Sequence, residues 1–324
     1  MTNSESNEIS IENKTENSTR WSLITETAAK LIAPIVSMIL ARLLTPEAFG
    51  VIASVNMIVS FADVFSDAGF QKYLIQHDFK DKKEFYLYTD VAFWTNLAIS
   101  IFAWLIIAIF SEPLANLVGN PGLGNVVCIA ALSLPLTSFS SIQMAHYRKT
   151  FDFKTLFYVR IISACVPLVV TVPLAFITRS YWAMVIGTLA SNIVNAILLT
   201  ARSKWKPHFH YSFKVLKVMF SYSWWILIES ISVWLTSYIG TFIVGLFLTT
   251  TEVGYYKTGM STVNQIITLI SVSISNPLFS ALSALKNDEE RFESVYYKYI
   301  RAVGTFMIPL AVGFLLFLGL ACRR

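Results

Sequence analysis

Apolar and polar positions along the chain fall in long blocks, without the short periods of a soluble fold. Nine apolar stretches stand out: Trp21 to Leu44, Gly50 to Phe65, Leu87 to Ile109, Leu123 to Met144, Leu156 to Ile177, Tyr181 to Ala201, Ser221 to Leu248, Met260 to Ser283 and Tyr299 to Leu320. A bilayer-crossing helix takes about 20 apolar residues, so each stretch predicts one spanning helix. The expected fold is all-α: a polytopic integral membrane protein of about nine transmembrane helices. Residues 1–20 differ, mixing Ser, Thr and Asn with Glu5, Glu8, Glu12, Lys14, Glu16 and Arg20, and predict a flexible cytoplasmic tail. They lack the basic start and small-residue cleavage site of a signal peptide, so the first span is expected to be retained.

Composition narrows the classes. Hydrophobic residues make up 55% and charged residues 14%, against about 25% charged in a globular domain. That excludes a soluble enzyme, a disordered chain and a nucleic-acid binder. The net charge of +5 reflects connections between spans. With the tail in the cytoplasm, the even-numbered connections and adjoining span ends hold 17 Lys and Arg, among them Lys72, Arg148, Lys149, Arg160 and Lys206. The opposite connections hold only Arg42, Arg179 and Lys257, while Arg323 and Arg324 fall on that side at the chain's end. This positive-inside bias orients the chain and supports the span count. The outer connections are short, which leaves no room there for a catalytic domain.

Ionisable groups inside spans carry the most information, because each costs about 2.5–3.5 kcal/mol at mid-bilayer on insertion scales. Glu26 and Lys30 lie four apart on one face of the first span. They read either as a neutralised pair that permits insertion or as a charged element lining an aqueous cavity. Glu229 follows Trp224, Trp225, Ile226, Leu227 and Ile228 with no base within a turn. Its stripe continues through Ser232, Thr236 and Gly240. A lone acid there faces a cavity, binds a cation or takes up a proton, or else makes a structural hydrogen bond. Asn264, Thr268, Ser271 and Ser275 form a similar stripe in the eighth span, as do Thr188, Asn192 and Asn195 in the sixth; both fit either tight helix packing or a solvated interior. Asp63, Asp67 and Asp90, near span ends, are expected at headgroups, water or a neighbouring base. Pro34, Pro167, Pro173, Pro277 and Pro309 sit in or near spans, where proline permits kinks.

Other chemistries find no support. His208 and His210 lack further ligands at metal spacing, so neither a metal nor another cofactor is expected. No glycine-rich phosphate loop occurs, which argues against ATP hydrolysis. Cys128 and Cys165 lie in apolar runs and Cys322 near the end, an odd set that implies no disulfide framework.

A series of short motifs resembles the bacterial polysaccharide transporter family, flippases of lipid-linked oligosaccharides in the superfamily that also holds multidrug exporters. It begins with Ala41-Arg42-Leu43-Leu44-Thr45-Pro46-Glu47-Ala48-Phe49-Gly50 and Ala62-Asp63-Val64-Phe65-Ser66-Asp67-Ala68-Gly69-Phe70. Tyr147-Arg148-Lys149, Phe151-Asp152-Phe153-Lys154, Val253-Gly254-Tyr255-Tyr256 and Asn276-Pro277-Leu278-Phe279 follow in order. The resemblance implies two helical bundles around a central cavity: a first six-helix bundle over residues 21–205 and three helices of a second over 206–324, with further spans in relatives. It implies a polyprenyl-pyrophosphate-linked saccharide as cargo in the bacterial cytoplasmic membrane. Membrane lipids, and the polymerase and chain-length machinery of polysaccharide assembly, are the implied partners. Lys30, Arg42 and Arg160, with Asn192, Asn195 and Asn264, become substrate candidates, and Glu26 and Glu229 ion-coupling candidates. An aspartate that many relatives carry on the seventh span is Gly240 here. Two other readings stand beside transport: an integral-membrane enzyme of polysaccharide assembly, and a truncated, non-transporting remnant.

Overall fold

The computed structural model describes residues 32–267 apart from 68, 151, 204, 265 and 266, and then 292–294, 296, 297, 300, 301, 304, 305, 308, 309 and 312. The expected tail, Glu26 and Lys30 lie outside the described residues. The chain through Ser261 forms one compact unit, and residues from Thr262 onward belong to a second. Regular structure among the described residues is helix alone, which satisfies every backbone group internally where lipid offers no partner.

In the first unit α1 covers Ile32–Leu43. The others are α2 Pro46–Asp67, α3 Phe70–Gln76, α4 Lys82–Ile109, α5 Ser111–Leu117, α6 Gly124–Ala130, α7 Ser133–Lys149, α8 Phe153–Val169, α9 Thr171–Thr178, α10 Trp182–Arg202 and α11 Phe213–Phe247. Residues 250–264 form a further helix, α12, whose last residues enter the second unit. Six helices among the described residues are long and apolar enough to cross a bilayer, counting α6 with α7 and α8 with α9 as one each. They coincide with the second to seventh apolar stretches; α1 covers the latter half of the first, and the eighth and ninth lie largely outside the described residues.

Local chemistry sets the helix starts. Pro46 opens α2 with its fixed φ, and Thr45 Oγ1 accepts from the Ala48 N–H at 3.4 Å. Asp81 caps α4, accepting from Glu84 N at 2.7 Å, while Glu84 reaches back to Lys80 N at 2.7 Å. This carboxylate version of the capping box starts α4 five residues before its apolar stretch. Asp152 caps α8 by accepting from Thr155 N and its hydroxyl at 3.1 and 2.8 Å. The fifth span bends at Val170 between Pro167 and Pro173, where α8 gives way to α9. Gly69, at φ 74°, turns α2 into α3. A Cβ there would also come within 2.8 Å of the Ile226 side chain on α11. α11, at 35 residues, is about 50 Å long, longer than a hydrocarbon core of about 30 Å, and carries Lys214 and Lys217 near its start, the end assigned to the cytoplasm.

α7 is the hub of the bundle, packing against α2, α3, α4, α8 and α10. Lipid is as apolar as leucine, so helices there associate through close packing and hydrogen bonds. α7 accordingly buries Ser133, Ser138, Ser140, Gln143 and His146. Asn96 Nδ2 donates to Ser141 Oγ at 2.9 Å and Gln143 Nε2 to Thr200 Oγ1 at 2.8 Å. Thr137 Oγ1 donates to Asp63 Oδ1 at 3.1 Å, so Asp63 turns into the bundle instead of toward headgroups. Ile177 and Phe247 are about four-fifths exposed, as side chains facing lipid should be.

The helix ends assigned to the outer side meet in a backbone seam. Gly50 of α2 lies against the Thr250 carbonyl, and Gly254 of α12 against the Pro46 carbonyl, each so closely that a Cβ would overlap the oxygen. Thr250 Oγ1 lies 3.3 Å from Asn120 Oδ1 in the α5–α6 connection. Thr249 supports α12 by donating its N–H and hydroxyl to Glu252, each at 2.8 Å. Those two bonds hold the Glu252 carboxyl below the usual range.

Candidate functional site

α7, α8 and α10 enclose a cavity of about 270 Å³ near their cytoplasm-assigned ends. Arg148 reaches it from the last turn of α7. Arg160 enters from two turns inside α8, and Asn192 and Asn195 from the facing side of α10. Ser163 and Ser191 add hydroxyls, while Leu156, Val159 and Leu199 supply an apolar floor. Counting 1.5 Å per residue, Arg160 and Asn195 each lie about 10 Å from the near end of their helices, which brings them to one depth. Ser163 Oγ is buried without a hydrogen-bond partner. Two guanidiniums, two amides and a hydroxyl around one space form a donor-rich set suited to a phosphate-type anion. Ligand pockets are typically about 300–1,000 Å³, so this cavity fits a head group better than a saccharide chain.

The structure thus joins residues from two spans, Arg160 of the fifth with Asn192 and Asn195 of the sixth, and adds Arg148 and Ser163. Arg148 stands in the sequence as one base of a cytoplasmic connection and within the Tyr147-Arg148-Lys149 motif. Arg42 is exposed at the end of α1, on the side assigned to the exterior and away from the cavity. Asn264 is helical and belongs to the second unit. Among the described residues no cluster of three or more His, Cys, Asp or Glu could hold a metal ion.

Glu229 has a base after all. Lys72 of α3, 157 residues away in sequence, donates to Glu229 Oε2 at 3.0 Å. Two turns earlier on α11, the Tyr222 hydroxyl donates to Gln76 Oε1 of α3. Burial, helped by Tyr88 and Glu84, pushes the neighbouring Tyr73 hydroxyl up to about 12, so it stays protonated at any cellular pH. Ser232 and Thr236 are exposed and donate to their own helix, to Ile228 O and Ser232 O, both at 2.9 Å. Their stripe is therefore an accessible face, covered at Gly240 by the Tyr256 hydroxyl. Lys72 and Glu229 are 45% and 62% exposed, and such pairs contribute about 0–1 kcal/mol. Glu229→Gln is expected to lower the melting temperature in detergent by no more than about 4 °C, read by tryptophan fluorescence. A larger drop would make the pair a structural staple.

A membrane protein of the cps region of Klebsiella pneumoniae is 24% identical over 94% of this chain and 63% of its own length. The succinoglycan biosynthesis transport protein ExoT of Rhizobium meliloti is 23% identical over 90% and 58%. The lipopolysaccharide biosynthesis protein WzxC of Escherichia coli is 20% identical over 94% and 62%. The chain spans about three fifths of the length of these curated relatives. A solved multidrug-resistance MATE family transporter of the MOP superfamily, in an inward-facing conformation, shares the fold with a TM-score of 0.61 at 14% identity, covering 87% of this chain and 68% of that one. Residues 39–322 match the polysaccharide biosynthesis protein family; the chain is a multi-pass membrane protein and belongs to that family.

Proposed function

We propose that the protein is a flippase that carries polyprenyl-pyrophosphate-linked oligosaccharide from the cytoplasmic to the outer leaflet of a bacterial cytoplasmic membrane, by alternating access, for surface polysaccharide assembly. The observation that carries this reading is the cavity of Arg148, Arg160, Asn192 and Asn195, within about two turns of the helix ends assigned to the cytoplasm. Its arginine forks match phosphate oxygens in pairs, and its size suits the head group while the glycan stays in water. The N-terminus is cytoplasmic in this reading, and the residues after 205 contribute to a second bundle that completes the path. Polymerase and chain-length proteins would receive the product.

The test is transfer in proteoliposomes loaded with a labelled polyprenyl-pyrophosphate oligosaccharide. Inner-leaflet label should become accessible to an external lectin faster than in empty liposomes, with its size unchanged. Equal rates would sink transport by this chain, and an altered label would favour an enzyme. In the same assay Glu229→Gln should abolish any dependence of the rate on a pH or sodium gradient. A dependence that survives would remove the coupling role of Glu229.

A further inference from the structure

Residues 205–212 lead into α11 without forming helix, yet 205–211 are fastened along α4. Ser203 Oγ donates to Trp205 O at 2.7 Å. Trp205 is 2% exposed and packs edge-on against Phe93 at 5.7 Å. Its Nε1 donates to Asp90 Oδ1 at 3.1 Å, and the His208 N–H donates to the same oxygen at 3.2 Å. Trp94 Nε1 donates to His208 O at 2.9 Å, and Phe209 stacks on the Trp94 ring at 4.3 Å. The Thr95 and Tyr211 hydroxyls are 3.0 Å apart, and His210 Nδ1 lies 3.9 Å from Asp90 Oδ2. Asp90 and Trp94, four apart, share one face of the helix, and Thr95 lies toward its edge.

Asp90 is 3% exposed, and a buried carboxylate is costly without compensating donors. The donors come from the linker. Asp90 is therefore placed to hold the linker, and the linker to neutralise the cost of burying Asp90. The linker's last bond to α4 is at Tyr211 and α11 starts at Phe213; Ser212 between them, extended at φ −136° and ψ 115°, is the N-cap, its carbonyl accepting from the Leu216 N–H at 3.1 Å.

We propose that Asp90 is a positioning residue: it straps residues 205–211 to α4 and so fixes where α11 starts. The strap stands on its own geometry; its effect on turnover rests on the flippase reading. The test measures amide hydrogen exchange and flipping on the same proteins in lipid. In Asp90→Ala, residues 205–211 should exchange at least tenfold faster than in the parent, and the maximal flipping rate should fall several-fold with little change in the substrate concentration giving half-maximal rate. Asp90→Asn keeps an acceptor oxygen for both N–H groups and should restore most of the protection and rate. Trp94→Phe, which keeps the ring stack and removes only the bond to His208 O, should show the same effect in smaller measure and reports if Asp90→Ala does not fold. Parent-like exchange in Asp90→Ala, or in Trp94→Phe where Asp90→Ala cannot be made, would overturn the strap. Faster exchange with an unchanged flipping rate would overturn the positioning role. If the parent chain flips nothing, the flippase reading fails while the exchange result still decides the strap.

Discussion

Replacing Arg160 by glutamine should weaken binding of a polyprenyl pyrophosphate about 10- to 100-fold, measured with a fluorescent analogue and the protein in nanodiscs. The magnitude follows from the chemistry of the cavity. A hydrogen bond to a charged group contributes about 1.5–3 kcal/mol, and each 1.4 kcal/mol is a factor of ten in affinity. Arg160 lines the cavity with Asn192 and Asn195 opposite. Arg160→Lys keeps the charge and loses the planar fork, so its affinity should fall between parent and glutamine variant. Arg148→Gln should act in the same direction, and the double variant should lose less than the sum of the two because both arginines share one ligand. Arg42→Gln, on the outer side of α1, is the control and should bind as the parent does. Parent-like affinity in Arg160→Gln would remove the cavity as the head-group site.

The second large effect is expected at the outer seam. Gly254→Val should destabilise the protein by about 1–3 kcal/mol, the usual range for overpacking, and should slow flipping more than that loss of stability explains. The added carbon meets the Pro46 carbonyl and, at 3.0 Å, the Gly50 amide nitrogen. Both are backbone atoms, and no side-chain rotation relieves the overlap; α2 and α12 must separate. Gly50→Val should do the same from the other helix through the Thr250 carbonyl. Gly259→Val on α12 is the matched control, with nothing within 4 Å of its Cβ position. The readout is melting temperature together with labelling of a cysteine introduced at Asn120 by a membrane-impermeant reagent. Wedging the seam should raise that labelling, and unchanged labelling would show that the seam does not close the outer side.

These positions differ in how far the sequence announces them. The caps at Thr45, Asp81 and Asp152 are short-range signals, since each side chain answers an N–H three residues on. The cavity was half legible. Arg160, Asn192 and Asn195 stand out as polar residues in apolar runs, whereas Arg148 hides among the bases of a cytoplasmic connection. Glu229 reads as a solitary acid because its base, Lys72, lies 157 residues away. Asp90 reads as an interfacial acid, and its partners Trp205 and His208 follow 115 and 118 residues later. The buried polar residues of α7, Ser133, Ser138, Gln143 and His146, point to several sides of the helix, and the segment passes for an ordinary span until its neighbours pack on it.

The sequence by itself determined that the chain is helical, where most of its described spans lie and, through the bias of its bases, an expected orientation. Each of these depends on how one segment partitions between water and hydrocarbon, a local balance that a run of about 20 residues settles. Only the tertiary structure decided which helices are neighbours, and with that the cavity, the Lys72–Glu229 pair, the Asp90 strap and the Gly50–Gly254 seam. Hydropathy is blind to neighbours, because lipid and leucine are alike to a membrane helix. Contacts between spans rest on small side chains, backbone approach and single hydrogen bonds, and these become visible only once the helices stand side by side.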